Sequence, residues 1–236
     1  MNKEYFRKFQ VVSNHSSLSP YFCTMNNSKS AVRNIIFDLG GVLIDLDVTQ
    51  TVKAFSELAI PEPADLAELE RRALMYSGLE TGTVSADVFR KAIRELSQMR
   101  LSDEAIDTAW NAMLSDFPEK RVKTLRKLSE NYRIFMLSNS NAIHYQFYTN
   151  GFKRDYAMEM DSLFEQAYYS FKMNMCKPHP EIFQKVLHQS RLLAEETFFI
   201  DDNADNVIAA AALGIITHQL VPGQDMTDLF WDGLLI

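Results

Sequence analysis

The chain has 236 residues, 47% hydrophobic and 23% charged, which fits one large globular domain or a core carrying a smaller one. Eight glycines and seven prolines exclude a collagen-like, linker-rich or largely disordered chain. Lys and Arg total 24 against 31 Asp and Glu, a net charge of −7, and no Lys/Arg run could track a phosphate backbone, so nucleic acid is excluded as the main partner. Cys23 and Cys176 make no disulfide framework, which points to a reducing compartment. The longest nearly apolar stretch, residues 207–216, is ten residues, half of the roughly 20 that a bilayer-spanning helix needs. The first ten residues lack the apolar segment of a secretory signal. The expectation is a cytoplasmic protein without a membrane partner, monomeric or weakly dimeric.

Residues 1–34 are polar, rich in Asn, Ser, Lys and Tyr, and read as a poorly ordered or partly packed extension; Met25 offers a second start. Five short runs then read as buried strands: residues 35–39, 134–139, 167–170, 197–201 and 214–220. Most are unbroken rather than alternating, which suits a parallel sheet covered on both faces. Between the later runs lie helical patterns. One starts at Pro180 and carries Ile182, Phe183, Val186 and Leu187; another runs over residues 204–213 and stops at Gly214.

The first gap differs. Residues 40–133 number 94, far more than one crossover needs. A helix over 118–130, with Val122, Leu125 and Leu128 on one side, can serve as the crossover, which leaves residues 48–117 as a separate helical insert. Asp47-Val48-Thr49-Gln50 resembles a capping box and opens a helix with Val52, Phe55, Leu58 and Ala59 inward. Ser85 caps another, carrying Val88, Phe89, Ala92, Ile93 and Leu96. The fold class is therefore α/β: a doubly wound, five-stranded parallel core (35–47 and 118–236) with a small helical cap (48–117). The C-terminal Leu229, Phe230, Trp231, Leu234 and Leu235 read as a seal on that core, or as a dimer contact if exposed.

Chemistry in an open α/β sheet sits at the carboxyl ends of its strands. There the first strand delivers Asp38 followed by Gly40-Gly41, the second Ser138-Asn139, the segment after the third Cys176-Lys177-Pro178, and the fourth Asp201-Asp202. Three aspartates in one crevice repel each other and resist ionisation. A hard divalent cation resolves this, and Mg²⁺ typically takes one or two carboxylates plus waters and a substrate phosphate. Lys177 adds positive charge for phosphate or for Asp38, and Ser138, before a helix that begins near Asn141, adds a hydroxyl and backbone N–H groups. An aspartate attacking phosphorus forms an aspartyl-phosphate that water hydrolyses.

These four motifs, in order across residues 35–220, resemble the haloacid dehalogenase superfamily of hydrolases, and most closely its branch containing glucose-1-phosphate phosphatases. The resemblance implies Asp38 as nucleophile, Ser138 and Lys177 as its catalytic helpers, and Mg²⁺ held by Asp38, Asp202 and the carbonyl of Gly40 with Asp201 adjacent. It implies a helical cap between the first two motifs, whose turn Leu79-Glu80-Thr81-Gly82 either dips into the crevice and reads the substrate or is a plain interhelical turn, with Ser138, Asn139 and Lys177 on the phosphate. The expected activity is a Mg²⁺-dependent phosphatase of a small phosphorylated metabolite such as a sugar phosphate. The chain departs from the family at Gly40, where many members carry an acid–base aspartate; Asp45 and Asp47 are the nearby candidates to replace it, or else flap and helix-cap residues. That departure keeps two alternatives open: a metal-independent 2-haloacid dehalogenase-type hydrolase, and a non-catalytic protein that binds a phospholigand.

Overall fold

A computed structural model of the chain describes residues 32–97 and 99–236. The expected N-terminal arm falls, but for its last three residues, outside the described residues, and so does Cys23. Asn34, placed in that arm, is instead the first residue of the sheet: it is buried, and its Nδ2 donates to Thr197 Oγ1 at 3.3 Å.

Five strands, β1 (Asn34–Phe37), β2 (Arg133–Ser138), β3 (Gln166–Tyr169), β4 (Thr197–Asp201) and β5 (Ile216–Gln219), form one parallel sheet in the order β3-β2-β1-β4-β5. The chain thus starts at the centre and winds outward in both directions, the pattern of a doubly wound fold. Successive β1 residues point to opposite faces, so Ile35 and Phe37 enter one apolar layer and Ile36 the other. Helices α5 (Glu119–Leu128) and α6 (Ala142–Tyr156) cover the first face with Val122, Leu125, Leu128, Tyr148 and Phe152. A short helix, α7 (Ser170–Met173), follows β3, and helices α8 (Pro180–Ser190) and α9 (Ala204–Ala211) cover the second face with Ile182, Phe183, Val186 and Ala210. Burial on both sides is why the strands read as unbroken apolar runs; each fully buried large side chain contributes about 1.5–3 kcal/mol.

Four helices lie between β1 and α5: α1 (Val48–Glu57), α2 (Leu66–Glu80), α3 (Ala86–Ser97) and α4 (Asp103–Asn111). Phe55, Leu79, Phe89, Ile93, Ile106 and Trp110 form their own apolar cluster, which Ile143 joins from the start of α6. Asp47 caps α1, accepting from Thr49 N at 3.0 Å, with Gln50 Nε2 on its second oxygen. Ser85 Oγ accepts from Val88 N at 3.3 Å. Two of the expected inward residues point elsewhere: Ala59 lies past the end of α1 at φ +54°, and Val88 is exposed. The periodic pattern extended one turn too far in each case, because a helix end and a helix start leave residues outside the apolar stripe. The C-terminus is also only partly a seal. Phe230 is buried, 6.2 Å from Phe37, but Trp231 and Leu234 are exposed on a two-stranded hairpin, β6 (Phe230–Trp231) with β7 (Leu234–Leu235). Among the described residues no helix is long and apolar enough to cross a membrane.

Candidate active site

Phe37 and Asp201 lie near the carboxyl ends of neighbouring strands, which brings the stretches that follow them to one edge of the sheet. Asp38 N donates to Ile200 O at 2.9 Å, so the first residue beyond β1 is still held by the ladder and its carboxylate faces β4. The chain then turns tightly: Leu43 N and Ile44 N return to Leu39 O at 2.8 and 3.0 Å, and Gly41 N donates to Ile44 O at 2.8 Å. Gly41 sits at φ +74°, and a Cβ there would lie 2.5 Å from Asp202 Oδ2. Only glycine meets both demands, and its bare backbone lets the Asp202 carboxylate close on the loop that carries Asp38.

Lys177 joins the two sides. Its Nζ lies 2.7 Å from Asp38 Oδ1 and 2.7 Å from Asp201 Oδ2, and all three residues are buried. Asp201 spends its remaining lone pairs on Asn203 N at 2.8 Å and on Asn206 Nδ2 at 3.0 and 3.1 Å. Asp38 keeps Oδ2 free of hydrogen bonds, and Asp202, exposed, makes no ion pair, among the described residues. One oxygen from each of Asp38, Asp201 and Asp202 lies within 4.8 Å of the others. Burial lifts the Asp38 carboxyl to about 7; Lys177 pulls it down and Asp201 pushes it further up. Asp202 is raised for the same first reason. Burial favours a neutral Lys177, but the two carboxylates override it and hold its pKa above the ordinary value. Three carboxylates against one ammonium leave an excess of negative charge, and the two residues that keep oxygens available, Asp38 and Asp202, flank the Gly40-Gly41 backbone. That donor set fits a hard divalent cation.

Asn139 is committed elsewhere than expected. Both ends of its amide hold the Lys177 backbone, Nδ2 to Lys177 O and Oδ1 to Lys177 N, each at 2.9 Å. Ser138 is buried beside it, with only a 3.4 Å contact from Oγ to Asn139 O. Asn141 caps α6, accepting from Ile143 N and His144 N at 3.1 and 3.0 Å. Ser140 N is satisfied by Ser170 Oγ at 2.9 Å.

At Gly40, where no carboxyl is present, an added Cβ would meet the tip of the Leu46 side chain, Cδ1, at 2.6 Å. Neither substitute is free. Asp45 accepts from Arg121 NH2 at 2.8 Å, and Asp47 caps α1. The turn after α2 does reach the edge of the sheet. Ser170 Oγ donates to Glu80 O at 2.6 Å and Asn174 Nδ2 to Thr81 O at 3.0 Å. Glu80 is half-buried, and burial raises its carboxyl to about 7 against the pull of Lys177. Thr81 Oγ1 donates back to Ser77 O at 2.9 Å, which fixes the turn. Cys176 is half-buried, and burial, then Glu80, pushes its thiol upward.

Sequence reasoning missed the joint between the helical insert and α6. His144 Nδ1 lies 2.7 Å from Asn111 Oδ1, and its ring stacks on Trp110 at 5.1 Å between centroids. Burial drives the His144 pKa down to about 3, so it is a neutral structural imidazole. It also left the Asn206–Asp201 contact undefined, since an Asn in the first turn of a helix is ordinary by itself.

A doubly wound parallel core with these groups at its carboxyl edge defines a class of hydrolase. Residues 32–214 match the family model of the haloacid dehalogenase-like hydrolases, and the chain belongs to that family. It is similar to the D-ribitol-5-phosphate phosphatase of Bacteroides thetaiotaomicron, 28% identical over 194 residues, which span 82% of this chain and 94% of that protein. A family enzyme from the same organism, solved in complex with magnesium and inorganic phosphate, superposes with a TM-score of 0.78 at 34% identity, over 85% of this chain and 100% of that one. The structure of a predicted hydrolase of this family from Porphyromonas gingivalis gives 0.71 at 30% identity, over 83% and 94%.

Proposed function

We propose that the protein is a Mg²⁺-dependent phosphatase of a small phosphorylated metabolite, with the phosphate ester of an alditol or sugar as the substrate class. The observation that carries this reading is the Lys177 ammonium clasped between Asp38 and Asp201 at 2.7 Å each, with Asp202 completing a carboxylate triad. The similarity to a D-ribitol-5-phosphate phosphatase, and to a family enzyme that binds magnesium and phosphate, supports the substrate class and the ion.

In this reading Asp38 Oδ2 attacks phosphorus, the ester oxygen leaves, and a phosphoryl group is carried on Asp38 until water releases it as inorganic phosphate. Lys177 keeps Asp38 ionised and correctly turned, and offsets the charge of the incoming phosphate. Ser138 Oγ and the backbone N–H groups of Ser138 and Asn139 donate to the phosphate oxygens; the Asn139 side chain positions Lys177. Asp38, Asp202 and the Gly40 carbonyl would hold Mg²⁺, with Asp201 fixing Lys177 behind them. The ion supplies positive charge against the developing charge on the phosphoryl oxygens. Residues 48–117 act as the cap over this edge, with Glu80 on the substrate side and Thr81 shaping the turn. The enzyme would work in the cytoplasm as a monomer or weak dimer.

A dehalogenase needs no cation, and three carboxylates around one lysine would then only raise the cost of ionising its nucleophile. Release of phosphate from D-ribitol 5-phosphate and a panel of sugar phosphates, with Mg²⁺ and with EDTA, tests the reading. Turnover that EDTA abolishes is the expected result. Turnover of a 2-haloacid that survives EDTA, or no phosphate release from any ester with Mg²⁺ bound, would overturn it.

A further inference from the structure

We propose that Glu80, reaching in from the helical insert, is the general acid and base of the reaction, in place of a carboxyl at position 40. The assignment rests on the phosphatase reading above and deepens it.

Position 40 carries no carboxyl in this chain: Gly40 has no side chain, and a Cβ there would come within 2.6 Å of the Leu46 Cδ1 tip. Asp45 is paired with Arg121 and Asp47 is bound to the first turn of α1, so both carboxylates next in sequence are engaged in the scaffold. Glu80 is different on three counts. Its backbone is locked against the catalytic edge: Ser170 Oγ bridges Glu80 O (2.6 Å) and Ser140 N (2.9 Å), two residues after Ser138. Asn174 holds Thr81 O, and Gly82, at φ +72°, packs so closely that a Cβ would fall 2.3 Å from Phe171 O. The turn therefore docks through backbone contacts that leave the Glu80 side chain unused. That carboxyl makes no hydrogen bond and no ion pair among the described residues, yet it is half-buried. Its electrostatic neighbours are Lys177, the residue that grips Asp38, and Cys176. Burial holds it near 7, where one carboxyl can both give and take a proton at neutral pH.

The two half-reactions balance around it. In the first, the Asp38 Oδ2–P bond forms, the P–O bond of the ester breaks, and protonated Glu80 gives its proton to the departing alkoxide. In the second, Glu80 carboxylate takes a proton from the attacking water as the new P–O bond forms and the acyl-phosphate P–O bond to Asp38 breaks. The net reaction is ester plus water to alcohol plus phosphate, and Glu80 returns to its starting state. Because the acid comes from the insert, the chemistry is complete only when the insert is docked, which ties proton transfer to enclosure of the substrate.

Two esters separate this role from a structural one. p-Nitrophenyl phosphate loses a stable phenolate that needs no proton, whereas D-ribitol 5-phosphate loses an alkoxide that does. For Glu80→Gln we expect kcat/KM for D-ribitol 5-phosphate to fall about 10²–10³-fold, and that for p-nitrophenyl phosphate to stay within about threefold. With the nitrophenyl ester, loss of the base should also give a burst of one nitrophenolate per site followed by slow turnover. Equal losses on both esters, or none on either, would overturn the assignment; a melting temperature within a few degrees of wild type confirms that the variant is folded. The Asp38→Asn variant keeps the two readings apart. If wild type hydrolyses both esters and Asp38→Asn neither, a failure confined to Glu80→Gln sinks only the role of Glu80. If Asp38→Asn matches wild type, the phosphatase reading itself falls, and the role of Glu80 with it.

Discussion

Asn139 grips the backbone of Lys177 with both ends of its amide, at 2.9 Å from each. The residue after β2 thereby sets the height of the lysine that follows β3 and ties the two segments together. Replacing Asn139 with Ala removes both hydrogen bonds and leaves the Lys177 N–H and carbonyl to find water. The expected cost is about 1–3 kcal/mol of stability. Lys177 Nζ would lose its fixed distance to Asp38, so kcat should fall about 10-fold or more. Thermal unfolding and steady-state kinetics of Asn139→Ala check both; unchanged kcat would show that Lys177 is positioned by Asp38 and Asp201 alone.

Lys177→Met puts a neutral chain of similar length between Asp38 and Asp201. Two buried carboxylates 2.7 Å from the lost ammonium then face each other without compensation. Breaking such a buried pair costs about 3–5 kcal/mol near neutral pH. Without Lys177 the folded-state pKa of Asp38 rises above the value of about 7 that it has beside the ammonium, so above pH 7 the folded variant keeps a proton that the folded wild type has lost. Its deficit should therefore be smallest at and below about pH 7 and grow as pH rises above it, as read by chemical denaturation from about pH 5 to about pH 9. A deficit independent of pH would contradict this.

Gly41→Ala tests the approach of Asp202 to the loop that follows Asp38. The added Cβ meets φ +74° and the Asp202 carboxylate at 2.5 Å. We expect a loss of about 1–2 kcal/mol in stability from the backbone conformation. Displacement of Asp202 should raise the Mg²⁺ concentration for half-maximal activity by about 10-fold or more. Stability loss without any change in Mg²⁺ dependence would remove Asp202 from the ion site.

Arg121 is buried and donates from Nε and NH2 to Asp225 Oδ2 at 3.1 and 3.0 Å and from NH2 to Asp45 Oδ1 at 2.8 Å, which ties α5 to the loop after β1 and to the C-terminal segment. Burial pushes Asp225 upward, but hydrogen bonds from Thr227, Lys120 and Arg121 outweigh it and hold the carboxyl below the usual carboxylate range. A depressed folded-state pKa gives stability that is present above the ordinary carboxylate pKa and lost as pH falls below it. Asp225→Asn should cost about 1–3 kcal/mol at pH 7, and the gap to wild type should be narrower at about pH 2. Denaturant midpoints at the two pH values decide it; a constant gap would mean that the ion cluster contributes nothing through its charge.

The sheet was legible because β1 to β4 are buried on both faces, so apolar runs such as Ile35-Ile36-Phe37 could only be core strands. β5 was read two residues early because Gly214 at φ +84° belongs to the exit from α9, not to the strand. The helices α2 and α4 escaped individual assignment: α2 carries charged residues around most of its surface, and α4 shows an apolar side, Ile106, Ala109 and Trp110, only once its neighbours are in place. In the site, Asp38, Lys177, Asp201 and Asp202 could be read from their places at strand ends. Contacts that depend on side-chain direction could not. Asn139 turned from substrate to Lys177, and Asp45 turned to Arg121, choices that spacing along the chain does not encode.

The proposed reaction passes a phosphoryl group through Asp38. Acid quenching of the Mg²⁺-loaded enzyme during turnover of D-ribitol 5-phosphate, followed by peptide mass spectrometry, would catch that group in place. A phosphoryl adduct is expected on the peptide containing Asp38, absent from Asp38→Asn together with turnover. Turnover with no adduct on that peptide, or an adduct and full activity in Asp38→Asn, would contradict it.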